Sequence, residues 1–405
     1  MTTDVIDVVG IGADGWNGLA PASRNAVDTA DVVFGSARQL EALGSLDAQR
    51  VAWPTPLIPA MRELLAVHSG RRRCVLASGD PMFHGIGVTL VRLLGADAVR
   101  IFPHPSSASL ACARLGWALH DVEVVSVVAR PVETVLPALT DGRRVLVLSE
   151  GAETVESLSK LLTDNGFAES TMTVLEQLGG PEEQVRTAPV DTWRGASGVD
   201  PLNVIGLDVR HTGPRLTRVA GLSDAAYTGD GQLTKSEVRA LTISALAPAP
   251  GERLWDVGGG SGSIAIEWMR THPSCRADAF ERVESRSKNI RTNAVALGVP
   301  ALTMRGPAPD SFADAPRPDA VFVGGGVTQP GMLDACWDAL GHGGRLVANA
   351  VTAESEALLL QWYSRHGGCL RRLQVHRGEP LGGFTGWRPQ MPVTQWIVRK
   401  PRQEN

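Results

Sequence analysis

The sequence predicts an α/β protein of two consecutive halves, each built from short apolar strands alternating with helices. Three observations carry this prediction. Short apolar runs recur along the whole chain, and helical spacing follows most of them. Several of these runs end in glycine-rich or polar turns, at Gly10–Gly15, Ser78–Pro81, Gly258–Gly262 and Gly324–Gly326. That is the end of the strand at which open α/β sheets bind ligands. Finally, Gly213 and Pro214, within His211–Leu216, break both periodicities and mark a boundary.

A chain of 405 residues, 43% hydrophobic and 20% charged, holds two or three ordinary globular domains. The net charge of −4 argues against a nucleic-acid partner. Only four of the 39 basic residues are lysine. Arginine forks suit carboxylate-rich ligands, although genomic base composition produces the same bias. Cys74, Cys112, Cys275, Cys336 and Cys369 form no C-x-x-C pair and sit in mostly apolar surroundings. They are expected to be buried thiols in a reducing compartment. The nine histidines are scattered, so no metal site is expected. The N-terminus has no secretory pattern and no apolar run reaches membrane-spanning length. The expectation is a cytoplasmic protein with no membrane partner.

In the first half, strands are expected at Val5–Ile11, Asp31–Gly35, Arg73–Ala77 and Val99–Phe102. Helices are expected at Pro21–Ala30, Ser36–Leu43 (stopped by Gly44), from the Pro54–Pro59 loop to Ser69, up to Leu94, and at Ala108–Leu115. A split near Ala118–Asp121 opens a second lobe. Its strands are Val122–Val128, Arg144–Leu148, Thr171–Leu178 and Leu202–Val209, and its helix is Val155–Asn165. The boundaries are then 1–118, 119–212, a linker at 213–220, and a second domain at 221–405.

Val9-Gly-Ile-Gly12, Ser78-Gly-Asp-Pro81, Pro105-Ser-Ser107 and Glu176–Glu183 together resemble the tetrapyrrole methylase family over roughly residues 4 to 210. The resemblance implies a two-lobed fold with S-adenosylmethionine (SAM) between the lobes. It implies cofactor contacts at Gly10, Gly12, Asp80, Ser106 and Ser107. Three positions depart from the family pattern. Val128 replaces a histidine before Arg130-Pro131, His104 stands where glycine is common, and Glu153 lies where a threonine-proline pair is usual. Arg130 is a candidate partner for a substrate carboxylate, against the plainer reading of a solvated strand-end arginine.

The second half is organised around Arg253–Arg270, which reads as strand, glycine turn and helix start. Gly260-x-Gly262-x-x-Ala265 fits the dinucleotide fingerprint. Asp256-x-Gly258-x-Gly260-x-Gly262 fits the D-x-G-x-G-x-G form that resembles class I SAM methyltransferases. A carboxylate at that strand end attracts the ammonium and sulfonium of SAM and repels a pyrophosphate, which favours SAM over NAD. Glu281, at the end of the strand Ala277–Glu281, suits ribose hydroxyls in either case. Thr234 and Glu237 have capping-box spacing before a helix at Lys235–Leu246.

Further strands are expected at Ala301–Arg305, Asp319–Val323, Arg345–Ala348, Leu370–His376 and Gln395–Lys400. Helices are expected at Ser285–Leu297, Gln329–Leu340 and Ala353–His366, and Arg377–Pro389 is expected to be a long substrate loop. This order is similar to a Rossmann-like class I methyltransferase with a mostly parallel sheet and an antiparallel last strand. Leu233–Arg239, the glycine loop, Gly306–Pro309, Val321–Gly326 and Asn349–Thr352 with Pro380–Gly383 resemble the carbon-15 methyltransferases of corrin synthesis. The implied cofactor contacts are Thr234, Asp256, Gly258, Gly259, Gly260, Ser261, Gly262, Glu281 and Ala308. Gly259 stands where cysteine is commoner.

The pairing of the two halves resembles the fused methyltransferases of cobalamin synthesis. That implies one SAM per half, leaving S-adenosylhomocysteine as product. It implies carbon-5 methylation of a precorrin by the first half, and carbon-15 methylation with loss of the ring C acetate carboxylate by the second. The partner would be an anionic tetrapyrrole, with Arg377 and Arg388 as candidate carboxylate binders or simple surface residues. A homo-oligomer is expected by analogy. No general acid or base stands out. The alternatives are an NAD-dependent oxidoreductase and an RNA methyltransferase, the latter disfavoured by the acidic balance.

Overall fold

The computed structural model describes residues 5–402. Within them the chain divides into two compact units, 5–132 with 138–213, and 133–137 with 214–402.

The first lobe of the first unit runs β1 (Ile6–Ile11), α1 (Gly15–Gly18), α2 (Pro21–Asp28), β2 (Val32–Gly35), α3 (Ala37–Glu41), β3 (Gln49–Ala52), α4 (Leu57–Val67), β4 (Arg73–Ser78), α5 (Ile86–Leu94), β5 (Val99–Phe102) and α6 (Ser107–Leu115). Its five strands form a parallel sheet in the order β3-β2-β4-β1-β5. The central strands β1, β2 and β4 are almost continuously apolar because helices cover both faces of the sheet. Ser36 caps α3 in a capping box with Gln39, and Ser106 caps α6. The edge strand β3 was not expected from the sequence.

The second lobe runs β6 (Val122–Ser126), β7 (Arg144–Leu148), α7 (Glu153–Asp164), β8 (Thr171–Glu176), β9 (Gln184–Pro189) and β10 (Asn203–Asp208). Its sheet order is β6-β7-β10-β8-β9. Only β6 and β7 pair in parallel; the other three pairings are antiparallel. Glu153 is the first residue of α7, where a carboxylate favours the helix dipole.

The second unit runs α8 (Ser236–Leu246), β11 (Arg253–Val257), α9 (Ser263–Thr271), β12 (Arg276–Phe280), α10 (Glu284–Ala296), β13 (Thr303–Arg305), β14 (Ala320–Val323), α11 (Met332–Ala339), β15 (Arg345–Ala350), α12 (Ala353–His366), β16 (Cys369–Leu373), β17 (His376–Leu381), β18 (Phe384–Pro389) and β19 (Val393–Arg399). The seven-stranded sheet has the order β13-β12-β11-β14-β15-β19-β16. The first five strands are parallel and β19 is antiparallel to both neighbours. Apolar clusters pack on both faces, around Trp268 on one and Trp396 on the other. Strand order reverses between β11 and β14, which opens a crevice at their C-terminal ends.

Three expectations fail locally. The capping box at Thr234 does not form: α8 begins at Ser236, its N-cap is Lys235, and no side chain caps it. Glu237 turns instead to Arg377. The expected loop Arg377–Pro389 is a β-hairpin, β17 against β18, turned at Gly382-Gly383. Cys369 is exposed on an edge strand, while the other four cysteines are buried. Among the described residues no helix is long and apolar enough to cross a membrane. None of the described residues form a cluster that could hold a metal ion.

Candidate functional site

Each unit contains a sizeable cavity at the C-terminal ends of its parallel strands. In the second unit it measures about 540 Å³ and sits at the switch point between β11 and β14. Gly258–Ser261, Asp256, Glu281, Thr234 and Ala308 all line it. Gly262 stands directly behind, as the left-handed N-cap of α9. The structure thus gathers all nine residues expected in this half around one cavity.

The loop is built by backbone geometry that only glycine adopts freely. Gly258, Gly260 and Gly262 all have positive φ, at 76°, 58° and 77°. A Cβ on Gly258 would stand 2.8 Å from the Gly325 backbone, so the turns after β11 and β14 touch. The Gly258 and Gly259 amides donate to the Phe280 carbonyl at 3.0 and 3.1 Å, pinning the loop to the end of β12. Ser263 and Ile264 lie in the first turn of α9, where their N–H groups have no helical carbonyl to reach.

Two carboxylates frame this loop. Asp256 is almost fully buried and accepts the Ala265 amide hydrogen at 3.1 Å. Burial pushes its carboxyl up to about 7; the Ala265 bond opposes the shift and the nearby Glu281 adds to it. Glu281 accepts from Gly260 N–H and from Val283 N–H, both at 2.9 Å. Asn349 adds an amide to the wall. It is held by Gln395, which donates to Asn349 Oδ1 at 2.8 Å, and it donates in turn to Thr242 at 3.2 Å.

A buried ion pair supports the cavity from below. Arg239 Nε donates to Glu267 at 2.6 Å, and its guanidinium reaches the carbonyls of Thr234 and Leu222. Glu267 also accepts from the amides of Gly221 and Leu222 and from the Tyr227 hydroxyl. Together they tie residues 221–234 to α8 and α9. Sequence reasoning missed both: on a helix, each reads as a solvent-facing charge. No local spacing marks them: the helical neighbours of Arg239 are Lys235, Ser236, Thr242 and Ile243, and those of Glu267 are Ser263, Ile264, Arg270 and Thr271.

In the first unit the cavity measures about 510 Å³ and lies between the two lobes. Gly12 and Ser107 line it; Gly10, Asp80 and Ser106 do not. Gly10 is buried against the next turn, where a Cβ would stand 2.3 Å from the Gly79 carbonyl. Asp80 accepts from the Met82 amide at 2.8 Å, and Ser106 accepts from the Ser109 amide at 3.1 Å. These three shape the turns behind the cavity. The His104 ring packs beside Gly12, with Nε2 3.6 Å from Asp14. Val128 lines the cavity mouth. Sequence reasoning also missed Arg38 and His84, which project into this space from α3 and from the turn after β4.

The three arginines expected to meet substrate sit outside both cavities. Arg130 is exposed just beyond β6, and its charge, after burial, helps hold the His84 imidazole below its usual pKa. Arg377 pairs with Glu237 at 2.8 Å and Arg388 pairs with Glu379 at 2.9 Å.

Comparison with known proteins matches a different family model to each half of the chain. Residues 5–193 match the model of the tetrapyrrole (corrin/porphyrin) methylases, and residues 225–400 match that of the precorrin methyltransferase domain. Over 399 residues the chain is 53% identical to the precorrin-6Y C(5,15)-methyltransferase (decarboxylating) of Mycobacterium tuberculosis, covering 98% of this chain and 100% of the relative. The chain belongs to the precorrin-6Y C(5,15)-methyltransferase (decarboxylating) family. It is therefore an enzyme, with two SAM-dependent methyltransferase domains, and not an NAD-dependent oxidoreductase or an RNA methyltransferase. Two half-length relatives from Salmonella typhimurium also match. The cobalt-precorrin-7 C(5)-methyltransferase is 30% identical over 46% of this chain and 91% of its own length. The cobalt-precorrin-6B C(15)-methyltransferase (decarboxylating) is 32% identical over 43% of this chain and 91% of its own. A crystal structure of the C-terminal domain of the Rhodobacter capsulatus precorrin-6Y C5,15-methyltransferase is 45% identical. It covers 45% of this chain and 100% of its own, with a TM-score of 0.43.

Proposed function

We propose that this member of the family divides the methylation of precorrin-6Y at carbons 5 and 15, with decarboxylation, between its two units within cobalamin synthesis. Each unit binds one SAM in its own cavity. The first unit methylates carbon 5. The second methylates carbon 15 and releases carbon dioxide from the ring C acetate. Separate relatives that carry out the C(5) and the C(15) reactions support this division.

One observation carries the reading: Asp256, Glu281 and the left-handed Gly258 and Gly260 converge on one cavity at the switch point, with Gly262 directly behind them. The donor set fits SAM. Asp256 faces an ammonium, Glu281 offers oxygens to ribose hydroxyls, and bare backbone lets the ligand approach closely. In the first unit Gly12 and Ser107 are the contacts, with Gly10, Asp80 and Ser106 setting the turns.

SAM supplies an electrophilic methyl group, and the methine carbon of the macrocycle supplies the electron pair. The residues of this chain therefore need no nucleophile. They align the reactants and exclude water, an effect worth up to about 7–11 kcal/mol. The apolar lining by Phe280, Phe322 and Met332 serves the second role. On decarboxylation the electron pair of the broken C–C bond passes into the conjugated macrocycle, and uptake of one proton at the former acetate methylene leaves a methyl group.

The test is calorimetric titration of S-adenosylhomocysteine into the full chain. Two sites are expected. Asp256→Ala should remove one and leave a chain that methylates carbon 5 alone. Gly12→Val should remove the other, since its Cβ would stand 2.8 Å from the His104 ring. One site in the unaltered chain would overturn the assignment of a cofactor to each unit.

A further inference from the structure

The first-unit cavity contains one arginine with no carboxylate to answer it. Arg38 lies on α3 and its guanidinium donates to Ser78 Oγ at 3.3 Å. Gln39 donates to the same oxygen at 3.1 Å, which anchors the turn of α3 against the end of β4. Among the described residues Arg38 forms no ion pair, whereas Arg377 and Arg388 each already hold a glutamate. The cavity wall includes no aspartate or glutamate, so Arg38 is its sole formal charge. Partial desolvation at the cavity mouth already works against the Arg38 cation, and the charge of Asp200 only partly offsets it. A guanidinium in that position gains most from an anionic ligand.

Two anions are available, the α-carboxylate of SAM and the acetate and propionate groups of the tetrapyrrole. Strand order separates them. Gly12 follows β1 and Ser107 follows β5, adjacent strands at one end of the sheet. Arg38 follows β2, but its guanidinium reaches Ser78 at the end of β4, two strand spacings from β5, or about 10 Å at the usual interstrand distance. The guanidinium thus lies on the β4 side of Gly12, away from Ser107 at the β5 edge.

We propose that Arg38 binds a carboxylate side chain of the tetrapyrrole and so sets which edge of the macrocycle faces the methyl donor in the first unit. This rests on the reading of that unit as the carbon-5 site. The fork can engage both oxygens of one carboxylate, a match that a lysine ammonium makes only as a point charge.

The experiment uses the full chain, precorrin-6Y and SAM, with carbon-5 and carbon-15 methylation followed separately by mass spectrometry and NMR of the product. Arg38→Met should raise KM for carbon-5 methylation roughly 10–100-fold, and Arg38→Lys should restore part of that loss. Carbon-15 methylation and the affinity of both sites for S-adenosylhomocysteine should stay as in the unaltered chain. Arg38 is half-buried on a short helix and makes one side-chain bond, so a matching melting temperature is expected for both variants. Unchanged carbon-5 kinetics would overturn the proposal. Lost affinity at one S-adenosylhomocysteine site would overturn it in favour of the cofactor carboxylate. Slower carbon-15 methylation with carbon 5 untouched would instead overturn the division of labour on which the proposal rests.

Discussion

Glu281 bridges two backbone amides, accepting from Gly260 through one oxygen and from Val283 through the other, each at 2.9 Å. The side chain therefore holds the glycine loop to the end of β12 while its remaining lone pairs face the cavity. Glu281→Gln removes the charge and turns one acceptor into a donor, so one of the two amides loses its partner. The expected cost is about 1–3 kcal/mol of stability, with weaker binding of S-adenosylhomocysteine at the second site. Chemical denaturation and calorimetry on one sample measure both. A Glu281→Ala chain that binds two equivalents at unchanged affinity would remove Glu281 from the cofactor site.

Asp256 gives the second unit a pH dependence of definite sign. Its folded pKa of about 7 stands above the 3.8 of an ordinary aspartate. Between these values the native state keeps a proton that the unfolded chain has released. Stability therefore falls as pH rises from about 4 to about 7, and levels off above that. Asp256→Asn keeps an oxygen for the Ala265 amide and removes the ionisation. It should be more stable than the unaltered chain at pH 8 and nearly equal to it at pH 4, as read from urea midpoints. An ammonium beside Asp256 favours the ionised form, so ligand binding near pH 6 should release a proton. The observed heat of binding should then vary with the ionisation enthalpy of the buffer.

Arg239 and Glu267 form a buried pair at 2.6 Å that also organises residues 221–234. Removing one member leaves the other charge buried alone, which costs about 3–5 kcal/mol. Glu267→Ala further strands the Gly221 and Leu222 amides and the Tyr227 hydroxyl. It should destabilise the second unit more than Arg239→Met does. Hydrogen exchange at Gly221 and Leu222 should accelerate together with the fall in denaturation midpoint. Slow exchange at both amides in the Glu267→Ala chain would show that other contacts hold the segment.

The strands that position both cavities were legible because burial on two faces makes them continuously apolar, as in β4, β7 and β14. The strands β3, β9, β17 and β18 were not. Gln49–Ala52 and Gln184–Pro189 are sheet edges with mostly exposed side chains, and the β17–β18 hairpin carries glycine and proline along its length. Their pairing comes from backbone hydrogen bonds, which leave no hydrophobic period to read. The glycine loop, Asp256 and Glu281 were legible as a local spacing. Arg38 and Arg239 were not, because their importance depends on what lies across a cavity or a helix interface.

Gly258 separates two effects that its substitution would combine. Its φ of 76° alone costs a non-glycine residue about 1–2 kcal/mol. Its Cβ would also stand 2.8 Å from Gly325 backbone atoms, which cannot swing aside as a side chain can. Gly251 has a similar φ of 88° with nothing within 4 Å of a Cβ, so Gly251→Ala measures the backbone cost by itself. Gly258→Ala should lose clearly more stability than Gly251→Ala, since the turns after β11 and β14 must part. It should also weaken S-adenosylhomocysteine at the second site, which Gly251→Ala should leave intact. Equal losses in the two variants would mean that the close approach of Gly258 to Gly325 does not constrain the crevice.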